Sequence, residues 1–253
     1  MTTAPENSAD PPSRPVTEPR AGFWESVMEW SCSVDHNKLG LMYIGCGLIF
    51  FLVGGLEAAF MRLQLARAQS EIIDPETFNQ LFTMHGTTMV FLVGMPVLLG
   101  FGNYLIPLMI GARDMAFPRL NAFGFWLFIF GGLLLYFSYL GADGLYGAGV
   151  APDVGWFAYA PLTSRTFSRG NPTDYWILGI MVSGFGSMTT AINLVATILC
   201  MRCPGMTLMR MPMLASITIS GATGSVSAAC AIVKSSGQRM TRNETTTQPR
   251  RPP

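Results

Sequence analysis

The chain has 253 residues, of which 50% are hydrophobic and only 12% are charged, against about a quarter charged in ordinary soluble domains. This composition excludes a mainly soluble protein and predicts an integral membrane protein. The net charge of +1, with no basic stripe interleaved with aromatic residues, argues against a nucleic acid as a partner.

The amino-terminal segment, residues 1–23, is rich in Pro, Ser, Thr and acidic residues. It lacks the apolar stretch of a signal peptide and carries the acidic residues that transit peptides avoid. We therefore predict a disordered tail. From Phe23 to Trp30 the aromatic residues are spaced as in a short helix that rests at the membrane interface.

The first predicted membrane span covers residues 39–61 and contains five glycines. Small residues permit close helix packing in lipid, where a hydrophobic drive between helices is missing. Arg62 directly follows this span. Its guanidinium could extend to the lipid headgroups, the ordinary behaviour of such an arginine, or donate hydrogen bonds to a cofactor that carries a carbonyl group.

The second span, residues 81–110, lies in a run from Thr77 to Ala112 that contains no Asp, Glu, Lys or Arg. His85 is near its start, and an ionisable side chain within a span indicates a functional site. An imidazole is a usual axial ligand of haem iron, and Gly86 beside it would let a flat macrocycle approach the backbone. The alternative is a histidine satisfied by a neighbouring helix or placed at headgroup depth.

The third and fourth spans are predicted at residues 122–140 and 175–201, joined by a link that should cap one side of the bundle. The fold class is therefore an all-α integral membrane protein with four transmembrane helices, in a membrane domain of residues 24–214. Residues 215–253 form a divergent low-complexity tail, which has no run long enough to cross a bilayer.

Polar side chains inside the spans form a second informative set, because they are costly when they face lipid. Ser183, Ser187 and Thr190 are spaced by four and three residues and therefore share one face of the fourth helix. That face either carries a file of water molecules or makes ordinary hydrogen bonds between helices. The other members of the set are Tyr43, Asn103, Thr189 and Asn193.

Five stretches of the chain occur together, in this order, in one known family: DHNKLGLMYI, MRLQLA, FNQLFTMHGTTMVFL, GNYLIPLMIGARDMAFPRLNAFGFWL and WILGIMVSGFGSMTTAINLVATILCMRCPGMTLMRMP. They resemble the amino-terminal four helices of subunit I of the haem–copper cytochrome c oxidases, in a bacterial form, and the resemblance covers roughly Val34 to Pro212. The resemblance implies an oxidoreductase that passes electrons from cytochrome c to oxygen, reduces it to water and pumps protons in aerobic respiration.

The resemblance also implies roles for individual residues. His85 takes the place of one axial ligand of the low-spin haem, and Arg62 that of the arginine that hydrogen-bonds the haem formyl group. Asp114 matches the acid at the mouth of the D proton pathway. Residues that carry this pathway inward would be Asn103, Asn121, Tyr43, Ser183, Ser187 and Asn193. Gly186 stands where the family often has a second serine.

Partners and location follow from the same resemblance. The parent complex would include oxidase subunits II and III, cytochrome c as electron donor, and membrane lipid around the bundle. It would lie in the plasma (inner) membrane of a bacterium as a multi-pass protein. A second haem and a copper ion are expected in the full-length parent.

The chain departs from the family in its histidines, since it contains only His36 and His85. The ligands of the high-spin haem and of copper lie on later helices of the family, so no catalytic residue for oxygen reduction is expected here. His36 lies among the polar residues before the first span, where a histidine is usually a surface group. Some ~30 Å of hydrocarbon would separate it from His85, so the two cannot share one iron.

We therefore expect a low-spin haem site of which this chain supplies one half, and a chain that is inactive alone. A frameshifted or truncated gene is one hypothesis for the unrelated tail, and an intact reading frame beyond codon 212 would test it. The alternative function is that of a non-enzymatic membrane fragment, either inert or binding haem through His85 of two copies.

Overall fold

The structure is a computed structural model, and it describes residues 22–67, 71–140, 151–164, 166–168 and 171–207. All regular elements among these residues are helical. The α-helices are α1 (Phe23–Ser31), α2 (His36–Gln64), α3 (Pro75–Thr87), α4 (Met95–Ile110), α5 (Pro118–Phe137) and α6 (Pro172–Cys200). A π-helical segment, Thr88–Gly94, joins α3 to α4, and a 3₁₀ turn, Ser138–Leu140, follows α5.

Within the described ranges, four helices are long and apolar enough to cross a membrane: His36–Gln64, Pro75–Ile110, Pro118–Phe137 and Pro172–Cys200. The prediction of an all-α membrane protein with four spans is therefore confirmed. The proposed tail at 215–253 and nearly all of that at 1–23 lie outside the described residues.

Each of the four helices begins before the apolar run that predicted it. Capping residues explain this difference for the first two, because Asp35 accepts a hydrogen bond from the Asn37 amide at 2.9 Å and Asp74 accepts one from the Thr77 amide at 3.0 Å. Proline stands in the first turn of the other two, where its missing N–H has no cost.

The helices form two closely packed pairs. α5 runs along α6, and α2 lies against the continuous helix Pro75–Ile110. Glycine permits both approaches: a Cβ at Gly131 of α5 would lie 2.5 Å from the Ser183 nitrogen of α6, and one at Gly40 of α2 would lie 2.9 Å from the Gly100 oxygen of α4. Small residues thus set the helix spacing, as expected in lipid.

An aromatic cluster fills the centre of the bundle. The ring of Tyr43 on α2 is fully buried, and its centroid lies 5.0 Å from that of Phe125 and 5.6 Å from that of Phe128, both on α5. α1 belongs to a separate compact unit and is helical, as predicted. It carries Phe23 and Trp24, each of which is 74% exposed.

The described part of the link between α5 and α6 packs on α3. The amide of Ala151 donates to the Gln80 side-chain oxygen at 3.2 Å, and the amide of Gly155 donates to the Thr83 hydroxyl at 2.9 Å. All four groups are buried, so these bonds hold the link against the start of the second span.

Candidate functional site

The imidazole of His85 is anchored to the neighbouring helix. Its Nδ1 lies 2.9 Å from the carbonyl oxygen of Gly54 on α2. Because a carbonyl only accepts, Nδ1 donates this bond, so Nε2 is the nitrogen that stays available to a metal. Metal-binding histidines are commonly held in this way, with one nitrogen bound to a carbonyl and the other free for the metal.

The backbone around His85 is also unusual. The π-helical segment starts three residues after it, and such segments occur frequently at functional sites. A Cβ at Gly54 would lie 3.1 Å from the sulfur of Met89 and 3.2 Å from Cγ2 of Thr88, so the two helices touch where the imidazole is held.

The space beside Gly86 is filled by the protein itself. A Cβ at this position would lie 2.9 Å from Cβ of Trp156, which the link places there. The expectation that Gly86 admits a macrocycle to the backbone is therefore wrong for this face of the helix. The glycine is needed for the contact with Trp156 instead.

Arg62 lies at the carboxyl-terminal end of α2 with an exposed side chain. It is eight residues beyond Gly54, about 12 Å along the helix axis. This position suits both readings of Arg62, a guanidinium at the headgroups and a donor to a polar substituent of a group held by His85.

His85 and His36 stand far apart, as the sequence indicates. His36 begins α2, 18 residues or about 27 Å before the anchor at Gly54. The side chains present therefore fit one axial ligand of a haem. The described residues contain no group of three or more His, Cys, Asp or Glu side chains that could hold a metal ion.

Asp114 is paired with His36. Nδ1 of His36 lies 3.2 Å from Oδ1 of Asp114, and the same oxygen accepts the Met115 amide at 2.7 Å. The Asp114 side chain is 42% exposed, whereas His36 is 5% exposed. The prediction of a surface histidine is wrong, because the loop that carries Asp114 covers it. Arg113 and Arg119, which flank Asp114 in the chain, are exposed.

Asn103 on α4 and Asn121 on α5 are both fully buried. Neither the oxygen nor the nitrogen of either side chain has a hydrogen-bond partner within the described part of the chain, and Nε2 of His36 is in the same condition. Buried polar atoms without a protein partner are ordinarily bound to internal water. These three side chains are therefore candidate sites for internal water, and His36 is the one that contacts Asp114.

Asn193 on α6 is engaged with the backbone. Its Oδ1 accepts the Phe117 amide at 2.8 Å, and its Nδ2 donates to the Phe117 carbonyl at 3.1 Å. Thr197, one turn further, accepts the Ala116 amide at 2.9 Å. The two side chains thus fix the loop just after Asp114 to α6.

The remaining predicted pathway residues lie where α2, α5 and α6 meet. The hydroxyl of Tyr43 lies 3.0 Å from that of Thr190, both fully buried. Ser187 donates to the Gly184 carbonyl at 2.9 Å within its own helix, and Ser183 is buried as well. The face of α6 that Ser183, Ser187 and Thr190 share is thus its buried face.

Gly186 is explained by packing. A Cβ there would lie 2.6 Å from the Gly124 oxygen and 2.9 Å from the Phe128 nitrogen on α5. A serine at this position would require a wider spacing between α5 and α6.

Sequence reasoning missed three side chains of these sites: His36, Trp156 and Thr197. Each of these side chains contacts a residue that is distant in the sequence, so no local sequence pattern indicates its role. Only Thr197 carried a usable signal, since it lies four residues after Asn193 and thus on the same helix face.

The fold defines a multi-pass α-helical membrane protein, in which the His85 imidazole is anchored to a neighbouring helix and a separate set of polar groups is buried. Comparison with known proteins gives the family. The profile of "Cytochrome C and Quinol oxidase polypeptide I" matches residues 38–243. The chain belongs to this family of respiratory oxidoreductases, which is the family that the five sequence stretches resemble.

The relatives are bacterial. The chain is 46% identical over 186 residues to a probable cytochrome c oxidase subunit 1-alpha of Streptomyces coelicolor, covering 74% of this chain and 31% of the relative. Cytochrome c oxidase subunit 1 of Bacillus subtilis is 46% identical over 187 residues, with coverages of 74% and 29%. That of Corynebacterium diphtheriae is 44% identical over 209 residues, with 82% and 36%. The chain spans about a third of the length of these relatives.

Proposed function

We propose that this chain supplies the amino-terminal helices of a terminal oxidase subunit I and holds one face of a low-spin haem through His85. The observation that carries the proposal is the bond of 2.9 Å between His85 Nδ1 and the Gly54 carbonyl, which leaves Nε2 for iron. A haem bound there would pass single electrons onward. Gly54 orients the imidazole and raises its basicity, and Arg62 donates hydrogen bonds to the formyl group, a contact that tunes the redox potential.

The second axial ligand of that haem comes from outside this chain. The only other histidine in the sequence is His36, which lies about 27 Å along α2 from Gly54, the residue that anchors His85. A companion polypeptide with the later helices supplies that ligand in an oxidase, together with the second haem and the copper site. In the alternative, a non-enzymatic bundle of two copies, each copy supplies its own His85.

The polar groups near Asp114 form the mouth of a proton pathway in this proposal. Asp114 is half-exposed and can exchange protons with water, and His36 at 3.2 Å holds its carboxylate in place. Water bound to Asn103 and Asn121 leads inward, with Tyr43, Ser183 and Ser187 deeper in the bundle. Asn193 belongs to this set as the residue that positions the loop of Asp114.

The assembled enzyme would transfer electrons from cytochrome c to oxygen and translocate protons across the bacterial plasma membrane. Oxidase subunits II and III would be its partners. None of the described residues provides a centre for oxygen reduction, so that chemistry belongs to the companion part of the protein.

Haem titration of the purified full-length chain tests the proposal. With haem added, we expect sharp bands in the reduced spectrum only when two imidazoles bind the iron. The second imidazole comes either from another copy of this chain, at one haem for two chains, or from a companion chain. An inert fragment shows no saturable binding, and that result would overturn the haem site.

A further inference from the structure

A carboxyl group is buried inside the first span, apart from the sites described above. Glu57 lies on α2, three residues and thus one turn beyond Gly54, and is 7% exposed. An acidic side chain within a membrane span is costly and ordinarily has a function. Neither the haem contact of His85 nor the polar residues near Asp114 use it.

Two hydroxyl groups contact this carboxyl, and a third bonds to one of them. The hydroxyls of Tyr136 and Tyr139 each lie 3.4 Å from Oε1 of Glu57. The Thr88 hydroxyl lies 2.7 Å from that of Tyr136. These four residues, here called the Glu57 cluster, join α2 to the end of α5 and to the π-helical segment.

The geometry favours a neutral carboxylic acid. Hydroxyl groups that donate to an ionised carboxylate lie at 2.5–2.7 Å, whereas both tyrosine contacts are 3.4 Å long. Oε2 of Glu57 is buried and has no hydrogen-bond partner among the described residues. No described Lys, Arg or His forms an ion pair with it. A buried carboxylate with neither a cation nor a full set of donors takes up a proton instead.

Few titratable groups face the cluster. α5 contributes Tyr136, and the 3₁₀ turn contributes Tyr139. Within two turns of Thr88, the helix Pro75–Ile110 offers only His85, whose Nδ1 is bound to Gly54. On α2 the nearest charged side chain is Arg62, which is exposed and five residues further on. Among the described residues, no cation close to Glu57 therefore compensates a negative charge.

We propose that Glu57 is an intramembrane proton-binding site, whose carboxyl group holds a proton at neutral pH and exchanges it through the hydroxyls of Tyr136 and Thr88. The Tyr136 hydroxyl donates to Glu57 while it accepts from Thr88. For release, the carboxyl gives its proton to the Tyr136 oxygen, Tyr136 gives its own to the Thr88 oxygen, and Thr88 gives its own to a water molecule; the reverse sequence reloads the carboxyl. The inference does not depend on haem at His85.

Reaction with a membrane-soluble carbodiimide tests the proposal directly on the full chain in detergent micelles. The carboxyl proton moves to a carbodiimide nitrogen while the carboxyl oxygen adds to the central carbon, and the adduct rearranges to a stable N-acylurea that keeps all atoms of both reactants. Peptide mass spectrometry then gives the labelled fraction. Glu76, exposed in the first turn of α3, is an internal control.

At neutral pH we expect labelling of Glu57 to exceed that of Glu76 by about tenfold or more, because an exposed carboxyl is then almost wholly ionised. The label at Glu57 falls as the solution becomes alkaline. Equal labelling of the two residues, or a label at Glu57 that does not change with pH, would overturn the proposal. The labelling experiment needs no haem, so its outcome is independent of whether His85 binds haem.

Infrared spectra provide the second measurement. The wild-type chain should show a protonated-carboxyl stretching band that Glu57→Gln lacks, and Tyr136→Phe should shift this band because the carbonyl loses one donor. Absence of the band contradicts a bound proton, and an unshifted band in Tyr136→Phe contradicts the proposed exchange route. Should Glu57→Gln not fold, labelling of the wild-type chain still decides the question.

Discussion

The imidazole of His36 donates from Nδ1 to Oδ1 of Asp114 across 3.2 Å, although 78 residues separate the two in the chain. This bond fixes the half-exposed carboxylate at the amino-terminal end of α2. The buried side chains of Asn103 and Asn121, the other residues proposed for this pathway, have polar atoms with no partner in the described part of the protein.

Asp114→Asn should slow oxygen reduction and stop proton pumping in a complete oxidase whose first helices are replaced by those of this chain. The substitution keeps the size and hydrogen bonding of the side chain but removes its titratable proton, while the haem spectra stay unchanged. Oxygen uptake and proton release by vesicles measure both effects. Asp174→Asn, an exposed acid in the first turn of α6, is the control. Full pumping by Asp114→Asn would show that the carboxylate serves only to hold His36.

Asn193→Ala should destabilise the bundle by about 2–4 kcal/mol, because two hydrogen bonds to the backbone of Phe117 are lost and buried groups stay unpaired. Loss of helical circular dichroism in a denaturing-detergent titration measures the change. Ser187→Ala removes only a bond to the Gly184 carbonyl of its own helix and should stay within about 0.5 kcal/mol of the wild type. Equal stability of the two variants would contradict the structural role of Asn193.

Gly186→Ser, which restores a serine common in the family, should destabilise the pair of α5 and α6 by about 1–3 kcal/mol. The new Cβ would lie 2.6 Å from the Gly124 oxygen. Gly184→Ser is the matched control, since a Cβ there meets no atom within 4 Å. The same titration measures both variants, and a neutral Gly186→Ser would mean that the two helices separate without cost.

The sequence predicted the four spans because an uncharged apolar run is a strong signal, but it placed the helix starts too late. The caps at Asp35 and Asp74 are polar and lie outside those runs. His36 was predicted at the surface because its neighbours in the chain are polar. Its burial depends on Asp114, and no local pattern reports a contact across 78 residues.

The same limit applies to the polar residues of α6. Spacing predicted that Ser183, Ser187 and Thr190 share a face, and the structure buries all three. It could not predict that Asn193 binds the backbone of Phe117, since the position of that loop depends on how α5 packs on α6.

The chain by itself should consume no oxygen with reduced cytochrome c. A copper centre of the oxidase kind needs several imidazole ligands. The sequence has two histidines, and His36 lies 18 residues, about 27 Å along α2, before Gly54, which anchors His85. An oxygen electrode measures the rate, with a complete bacterial oxidase as positive control. Cyanide-sensitive uptake by the isolated chain would contradict this expectation.

Haem binding by His85→Ala and His36→Ala variants tests the central claim most directly. Each chain is titrated with haem under identical conditions, the absorbance of the reduced form is recorded, and circular dichroism confirms that both variants keep their helices. We predict that His85→Ala abolishes saturable binding, because the ligand anchored to Gly54 is gone, whereas His36→Ala binds haem like the wild type. Equal loss in both variants, or undiminished binding by His85→Ala, would contradict the assignment of His85 as the haem ligand.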